Sequence, residues 1–145
     1  MKVSIGSDHR GLEQRKVLAS IIESSGHELD DQGSFSKESV DYPDIAQVVC
    51  GRVTSGESDR GILVCGTGIG MSIAANKLNG VRAALCNEVS AAELSRQHNN
   101  ANVLCLAGND FDAEEYGRIV RAWLATDFEG GRHARRVEKI GELEC

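Results

Sequence analysis

Long apolar runs are missing from this chain of 145 residues: none approaches the roughly 20 residues that span a bilayer, so the sequence predicts no membrane-crossing helix. A signal-peptide core is missing too. The opening MKVSIGSDHRG meets Asp8, His9 and Arg10 before one could form, and a cytoplasmic protein is the expectation. Aromatic residues are scarce, at 4%, and basic residues are outnumbered, 16 Lys and Arg against 22 Asp and Glu for a net charge of -6. An acidic, aromatic-poor chain is a poor general binder of nucleic acid or of a membrane surface. No Cys-x-x-Cys pair occurs among Cys50, Cys65, Cys86, Cys105 and Cys145, an odd and widely spaced set. That excludes a disulfide framework and a structural zinc site, and no metal is expected. In a reducing compartment these are free thiols, each by default an inert core residue. Repeats, low-complexity tracts and linkers are also absent.

The remainder has globular proportions, with 41% hydrophobic and 26% charged residues, which excludes disorder. The length fits one domain, 1–145, able to bury about two-thirds of its unfolded surface. Short apolar runs alternate with helical periodicity. Strands are predicted at Lys2–Ser7, Glu28–Asp31, Ile62–Cys65, Arg82–Cys86 and Asn102–Ala107. Helices are predicted at Leu12–Ser25 with Gly26 as C-cap, Asp44–Thr54 after Pro43, Ser72–Leu78, Ser90–His98, Ala113–Ala125, and from Gly130-Gly131 to about Leu143. This alternation implies an α/β fold with a parallel sheet covered by helices on both faces. Ligands in such folds bind outside the carboxyl ends of the strands. That rule selects Asp8-His9, Cys65 to Gly70, Asn87-Glu88 and Gly108-Asn109 as the rim of a site.

The strongest local signal is Cys65-Gly66-Thr67-Gly68-Ile69-Gly70, after a strand and opening a helix. Glycines at alternate positions let backbone N–H groups turn toward one point, forming a nest for a phosphate or a reaction oxyanion. The plainer reading is a tight turn. The segment is neither a Walker A loop nor a G-x-G-x-x-G fingerprint. Cys65, at the nest, is either a core cysteine or a base or nucleophile of lowered pKa. Asp8 and His9 could move protons or hold hydroxyls, or Asp8 could simply cap a helix. His98, with Asn99 and Asn100, closes a helix, where the dipole favours a cation. Arg132 and Arg136 share a helix face and could grip one phosphate, or form a solvated face beside Glu138 and Glu142. Their position after Gly130-Gly131 also suits an arm packed on a partner subunit.

Taken together these segments resemble the type B ribose-5-phosphate isomerases, in the family that also holds the galactose-6-phosphate isomerase subunits. The resemblance rests on Ser7-Asp8-His9-Arg10-Gly11, Asp41-Tyr42-Pro43-Asp44, Gly61 through Lys77, Leu94 through Leu104, and Glu129-Gly130-Gly131-Arg132-His133, in order and nearly end to end. It implies a Rossmann-like three-layer α/β/α fold with a five-stranded parallel sheet, and a homodimer or dimer of dimers with shared active sites. It implies interconversion of ribose 5-phosphate and ribulose 5-phosphate through a cis-enediolate, in the pentose phosphate pathway, without metal or organic cofactor. By matching position, Cys65 is the base between C1 and C2, and Thr67 relays a proton between O1 and O2. The backbone of Gly66, Gly68, Ile69 and Gly70 stabilises the enediolate. His98 opens the furanose ring with Asp8 assisting. His9, Arg132 and Arg136 hold the phosphate, and Tyr42 and Asn99 border the sugar. In the family the His98-Asn99 region comes from the neighbouring subunit. One branch uses a Glu as base just after the nest; Met71 stands there, leaving Cys65. Many relatives carry an Arg near the end of strand five that reaches the substrate phosphate; Asn109 stands there instead. That departure opens other sugar phosphates: allose 6-phosphate, galactose 6-phosphate or a tetrose phosphate. A noncatalytic sugar-phosphate-binding module, or redox sensing by Cys65, are readings from other classes.

Overall fold

A computed structural model describes all of residues 1–145. Five parallel strands form one sheet: β1 (Lys2–Ser7), β2 (Glu28–Asp31), β3 (Arg60–Cys65), β4 (Ala83–Leu85) and β5 (Val103–Ala107), in the order β2-β1-β3-β5-β4. Successive side chains on a strand point to opposite faces, and the two faces bury different helices. Ile62, Val64, Leu104 and Leu106 share one core with Leu18 and Ile22 of α1 (Leu12–Ser24) and with Ile119, Val120 and Trp123 of α5 (Ala113–Ala125). Ala92 of α4 (Val89–Asn99) joins that core. Leu63, Cys65, Val103 and Cys105 face α2 (Tyr42–Thr54) and α3 (Ile69–Ala75) through Ala46, Val49, Met71 and Ala75. The three-layer α/β/α arrangement expected from the alternation is therefore present. No helix is long and apolar enough to cross a membrane.

Several boundaries differ from the sequence reading. β3 starts at Arg60, two residues before Ile62. A charged residue seldom enters a buried strand, but Arg60 donates from Nη1 to the carbonyls of Trp123 (2.7 Å) and Leu124 (3.1 Å), and its guanidinium lies 5.4 Å from the Trp123 ring centroid. The side chain thus satisfies the end of α5. α2 begins at Tyr42 rather than Asp44, because Pro43 occupies the first turn, where its missing N–H breaks no helical bond. α3 begins at Ile69 rather than Ser72 and ends at Ala75. Gly68, at φ 75°, turns the chain straight from the nest into the helix. β4 is shorter than the predicted Arg82–Cys86.

The last helix, α6 (Arg132–Gly141), lies against α4 of its own chain and buries only His133. The tail behind it is tied back by Asn79 Nδ2 to the Cys145 carbonyl and by the Gly80 amide to Glu144 Oε1, both 2.7 Å.

Strand order reverses between β1 and β3: the chain leaves β1 for β2 on one side and then returns to the other. A crevice opens at the carboxyl ends of two such strands. Asp8 follows β1 and Gly66 follows β3, so that crevice is where the sequence located its rim.

Candidate active site

The carboxyl edge is held together beyond the ladder. The Asp8 amide donates to the Val64 carbonyl (3.2 Å), Gly108 N–H to Cys65 O (2.7 Å) and Asn109 N–H to Gly66 O (2.9 Å). These bonds bring the turn after β1, the nest after β3 and the turn after β5 side by side.

Within the nest, the amides of Gly66, Thr67 and Gly68 donate to no backbone carbonyl, and that of Ile69 goes to the Thr67 hydroxyl oxygen (3.2 Å). Thr67 is exposed and uses its oxygen as acceptor there, so its O–H proton is free to donate. Gly68 admits no side chain: a β-carbon would stand 2.5 Å from Leu85 Cδ1 and 3.0 Å from the Leu106 carbonyl carbon. Gly70 admits none either, because the Tyr42 ring packs on it, with Cζ 2.6 Å from where a β-carbon would be. Tyr42 thus walls the nest on the α2 side. A β-carbon on Gly66 would meet Asn109 Nδ2 at 3.3 Å and Arg10 Cδ at 3.5 Å, so those two side chains wall the other side. The result is a concave row of unpaired N–H donors between an aromatic ring and polar arms.

Cys65 ends β3 at the base of this row, 5% exposed. Three further thiols lie buried in the core. Burial alone pushes Cys50 up to about 12. Burial also raises Cys86, against a hydrogen bond from Ser95, and raises Cys105 well above its ordinary value. Asp8 is buried and caps a short 3-10 turn, His9–Gly11: its Oδ1 accepts from the Arg10 amide (3.0 Å) and the Gly11 amide (3.1 Å). The capping alternative is therefore present in the structure, and it also fixes the turn that carries His9. The His9 ring accepts the Val40 amide at Nδ1 (3.3 Å), which leaves Nε2 as an N–H donor toward any ligand. Asp8, His9, Tyr42, Cys65, Gly66, Thr67, Gly68, Ile69, Gly70 and Asn109 are thus gathered at one edge.

His98, Asn99, Arg132 and Arg136 are not with them. α4 runs back from the carboxyl edge, so its end lies at the amino edge, beside the starts of the strands. A chain of bonds marks that position. Arg60, which begins β3, reaches the Thr126 carbonyl with Nη2 (3.4 Å). Arg96 donates to the same carbonyl from Nε (3.1 Å) and to Ala101 O from Nη1 (2.6 Å). The Glu129 amide donates to Gln97 O (3.1 Å). Burial, then nearby Arg60, presses the Arg96 guanidinium down to about 10, with Asp127 opposing. Five residue steps along β3 at about 3.3 Å each separate Arg60 from Cys65 by roughly 16 Å. His98 stands at the far end of that interval.

There His98 stacks on His133, ring centroids 4.2 Å apart and planes at 12°. His133 Nε2 lies 3.5 Å from Glu129 Oε2. Burial first, then the neighbouring His98 and Arg132, hold His133 below its ordinary 6.5, against Glu129. Arg132 and Arg136 are exposed on α6 and make no ion pair with Glu138 or Glu142. His98, Glu129 and His133 bring three possible metal-ligating atoms within 4.8 Å of one another. Their stacked rings direct in-plane lone pairs side by side rather than at one point, so the trio is not a preformed metal cage. His133 carried no role in the sequence reading. It adjoins Arg132 in the same motif, but only the fold brings it to His98, from a helix that begins 34 positions later.

Comparison with known proteins follows the same outline. Residues 3–140 match the model of the Ribose/Galactose Isomerase family. Ribose-5-phosphate isomerase B of Escherichia coli (strain K12) is 46% identical over 144 residues, 99% of this chain and 96% of that one. A D-erythrulose-4-phosphate isomerase of Pectobacterium atrosepticum is 38% identical over 145 residues, 99% and 95%. The solved structure of Clostridium thermocellum ribose-5-phosphate isomerase B superposes with a TM-score of 0.96 at 49% identity, covering 99% of this chain and 97% of that one.

Proposed function

The chain belongs to the ribose/galactose isomerase family, and we propose that it interconverts ribose 5-phosphate and ribulose 5-phosphate in a site built from two copies of itself. The observation that carries the reading is the nest: a row of unpaired amides beside a cysteine, facing a switch-point crevice. An aldose–ketose isomerase needs those parts. A base takes the proton from C2 and returns it to C1, while the hydroxyl proton passes from O2 to O1. Between the two steps charge sits on the enediolate oxygens, where preorganised N–H donors act most strongly.

Cys65 is the base in this scheme. Thr67, exposed with a free hydroxyl proton, carries the O2-to-O1 transfer. The amides of Gly66 to Gly70 receive the enediolate, and Tyr42 and Asn99 border the sugar. Asp8 assists ring opening by passing a proton to the ring oxygen from the oxygen that its capping bonds leave free. His9 offers its Nε2–H to the phosphate. Ring opening needs an acid–base group, assigned to His98, and phosphate charge calls for Arg132 and Arg136. These three, with Asn99, stand at the opposite edge of the sheet from the nest of their own chain. A second copy must therefore supply them, which argues for self-association with shared sites. The exposed apolar side chains Ile69 and Ile73 beside the nest, at 53% and 58%, suit such a contact.

Ribose 5-phosphate turnover by the wild type and by Cys65→Ala tests the reading, with allose 6-phosphate and erythrose 4-phosphate in parallel. The expected result is turnover of ribose 5-phosphate that falls about 10²- to 10⁴-fold in the variant while substrate still binds. No turnover of any sugar phosphate overturns the reading and leaves a binding module. A second reading, the same chemistry on a tetrose phosphate, is favoured by the erythrulose-phosphate relative and by Asn109. Turnover of erythrose 4-phosphate alone would select it.

A further inference from the structure

We propose that Arg10 is a substrate-phosphate ligand of the nest's own chain and sets the affinity for sugar phosphates. The inference rests on the isomerase reading above for its substrate, and on geometry for its residue.

The carboxyl edge has one guanidinium to offer. Arg10 is the middle residue of the turn His9–Gly11, and its side chain is exposed. Its hydrogen bond is made by the backbone, from the amide to Asp8 Oδ1; the guanidinium itself bonds to nothing in the chain. Three buried arginines are used differently. Arg15 donates to the Ser34 carbonyl (3.0 Å) and pairs with Asp31. Arg60 and Arg96 satisfy carbonyls at the amino edge. Their charge is consumed by the fold, whereas that of Arg10 is left for solvent or ligand.

The stem of Arg10 is aimed at the site. Its Cδ lies 3.5 Å from the point where a Gly66 β-carbon would be, beside Asn109 Nδ2 at 3.3 Å from that point. The turn beneath it is rigid. Asp8 caps it, and Gly11 is pressed on Val64, with a would-be β-carbon 2.9 Å from Val64 Cγ1. Gln14 Nε2 bonds the Gly108 carbonyl (3.0 Å), tying the following helix to the β5 turn. A fixed base with a free planar head is what bidentate recognition of phosphate requires. His9, on the same turn, adds an Nε2–H donor. Asn109 contributes a neutral amide at this wall, with two donors and no charge. Positive charge on the wall therefore comes from Arg10. The two residues are neighbours across Gly66, so a cation placed at either position reaches the same space.

Three variants test this: Arg10→Met, which keeps an unbranched apolar stem and removes the charge, Arg10→Lys, and the double change Arg10→Met with Asn109→Arg. Each is read by KM and kcat on ribose 5-phosphate and by the Kd of inorganic phosphate, with the melting temperature as a fold check. In Arg10→Met, KM and the phosphate Kd should both rise by about 10- to 100-fold, the size of one charge-assisted hydrogen-bonding group, with a smaller change in kcat. Arg10→Lys should fall between wild type and Arg10→Met, since a point charge replaces the fork. The double variant should recover most of the loss. Wild-type turnover with unchanged KM and unchanged phosphate Kd in Arg10→Met overturns the proposal and leaves the isomerase reading standing. Absence of wild-type turnover overturns the isomerase reading instead. The phosphate Kd then decides Arg10 by itself: weakened in Arg10→Met it supports the assignment, and equal to wild type it overturns it.

Discussion

The two ends of this sheet finish their polar groups in opposite ways. At the amino edge Arg60, Arg96 and Asn102 spend their side-chain donors inside the chain. Arg60 and Arg96 converge on the Thr126 carbonyl, Arg96 also takes Ala101 O and Asn100 Oδ1, and Asn102 bonds across to Gly80 and Arg82. At the carboxyl edge, three backbone bonds align the turns, and then donors are left over: the amides of Gly66 to Gly68 and the Arg10 guanidinium. Gly66 and Gly68 are buried, where polar groups without partners are costly, so their leftover amides at a crevice point to a ligand that completes them. One edge seals the fold; the other is open to an anion. The sealed edge still presents a reactive surface on its outside, the His98–His133 stack with Arg132 and Arg136 nearby. On the function proposed above, each chain carries two half-sites at opposite edges of one sheet.

The comparison can be broken most sharply at His98. Erythrose 4-phosphate carries its phosphate on the hydroxyl that would close a furanose, so it has no ring to open. His98→Asn should lower kcat on ribose 5-phosphate by about 10²-fold or more, and turnover of erythrose 4-phosphate by less than about tenfold. Equal losses on both sugars would remove the ring-opening role from the amino-edge half-site.

A pair of glycines sharpens the contrast next. Gly68 and Gly130 both have positive φ, at 75° and 67°. A β-carbon at Gly68 would collide with Leu85 and Leu106, whereas nothing lies within 4 Å of one at Gly130. Chemical denaturation should show Gly68→Ala losing about 2–4 kcal/mol, from backbone strain plus overpacking, and Gly130→Ala about 1–2 kcal/mol from strain alone. Comparable losses would mean that the nest is not packed as described.

The smallest effect is a pH dependence confined to the amino edge. Folding lowers the His133 pKa below 6.5, through burial and then its neighbours His98 and Arg132. Below that value the unfolded chain binds the proton first, so the unfolded state holds more protons and stability rises with pH. As pH falls from 7 through 6.5 toward the lowered folded value, the melting temperature should decline. His133→Gln should flatten that part of the profile. An unchanged profile in the variant would show that His133 contributes nothing to it.

Much of the carboxyl edge was legible in the sequence, because its parts are local. Cys65 to Gly70 is one continuous segment between a strand and a helix, and Asp8-His9 follows a strand directly. Strand ends share an edge in any parallel sheet, so their meeting follows from the alternation. The amino edge was less legible. The bonds that tie it to the end of α5 join residues 30 and 66 positions apart, Arg96 to Thr126 and Arg60 to Thr126. Arg60 breaks the apolar pattern that marks a strand, so the start of β3 was hidden. The glycines before Ser72 hid the start of α3 in the same way. Arg10 and His133 stood inside quoted motifs without a role, because what distinguishes them is their neighbours. That His98 and Cys65 lie at opposite edges follows from helix direction once the strands are parallel; that a second copy is needed to unite them came only from the resemblance.

Co-expression of Cys65→Ala and His98→Asn tests the central claim, that the two half-sites act across copies, most directly. Each variant alone should be nearly inactive. In a mixed dimer one site carries both lesions and the other carries neither, so random pairing should restore about a quarter of wild-type activity on ribose 5-phosphate. Activity no higher than the sum of the two variants alone would mean that Cys65 and His98 do not meet across copies, and would contradict the account.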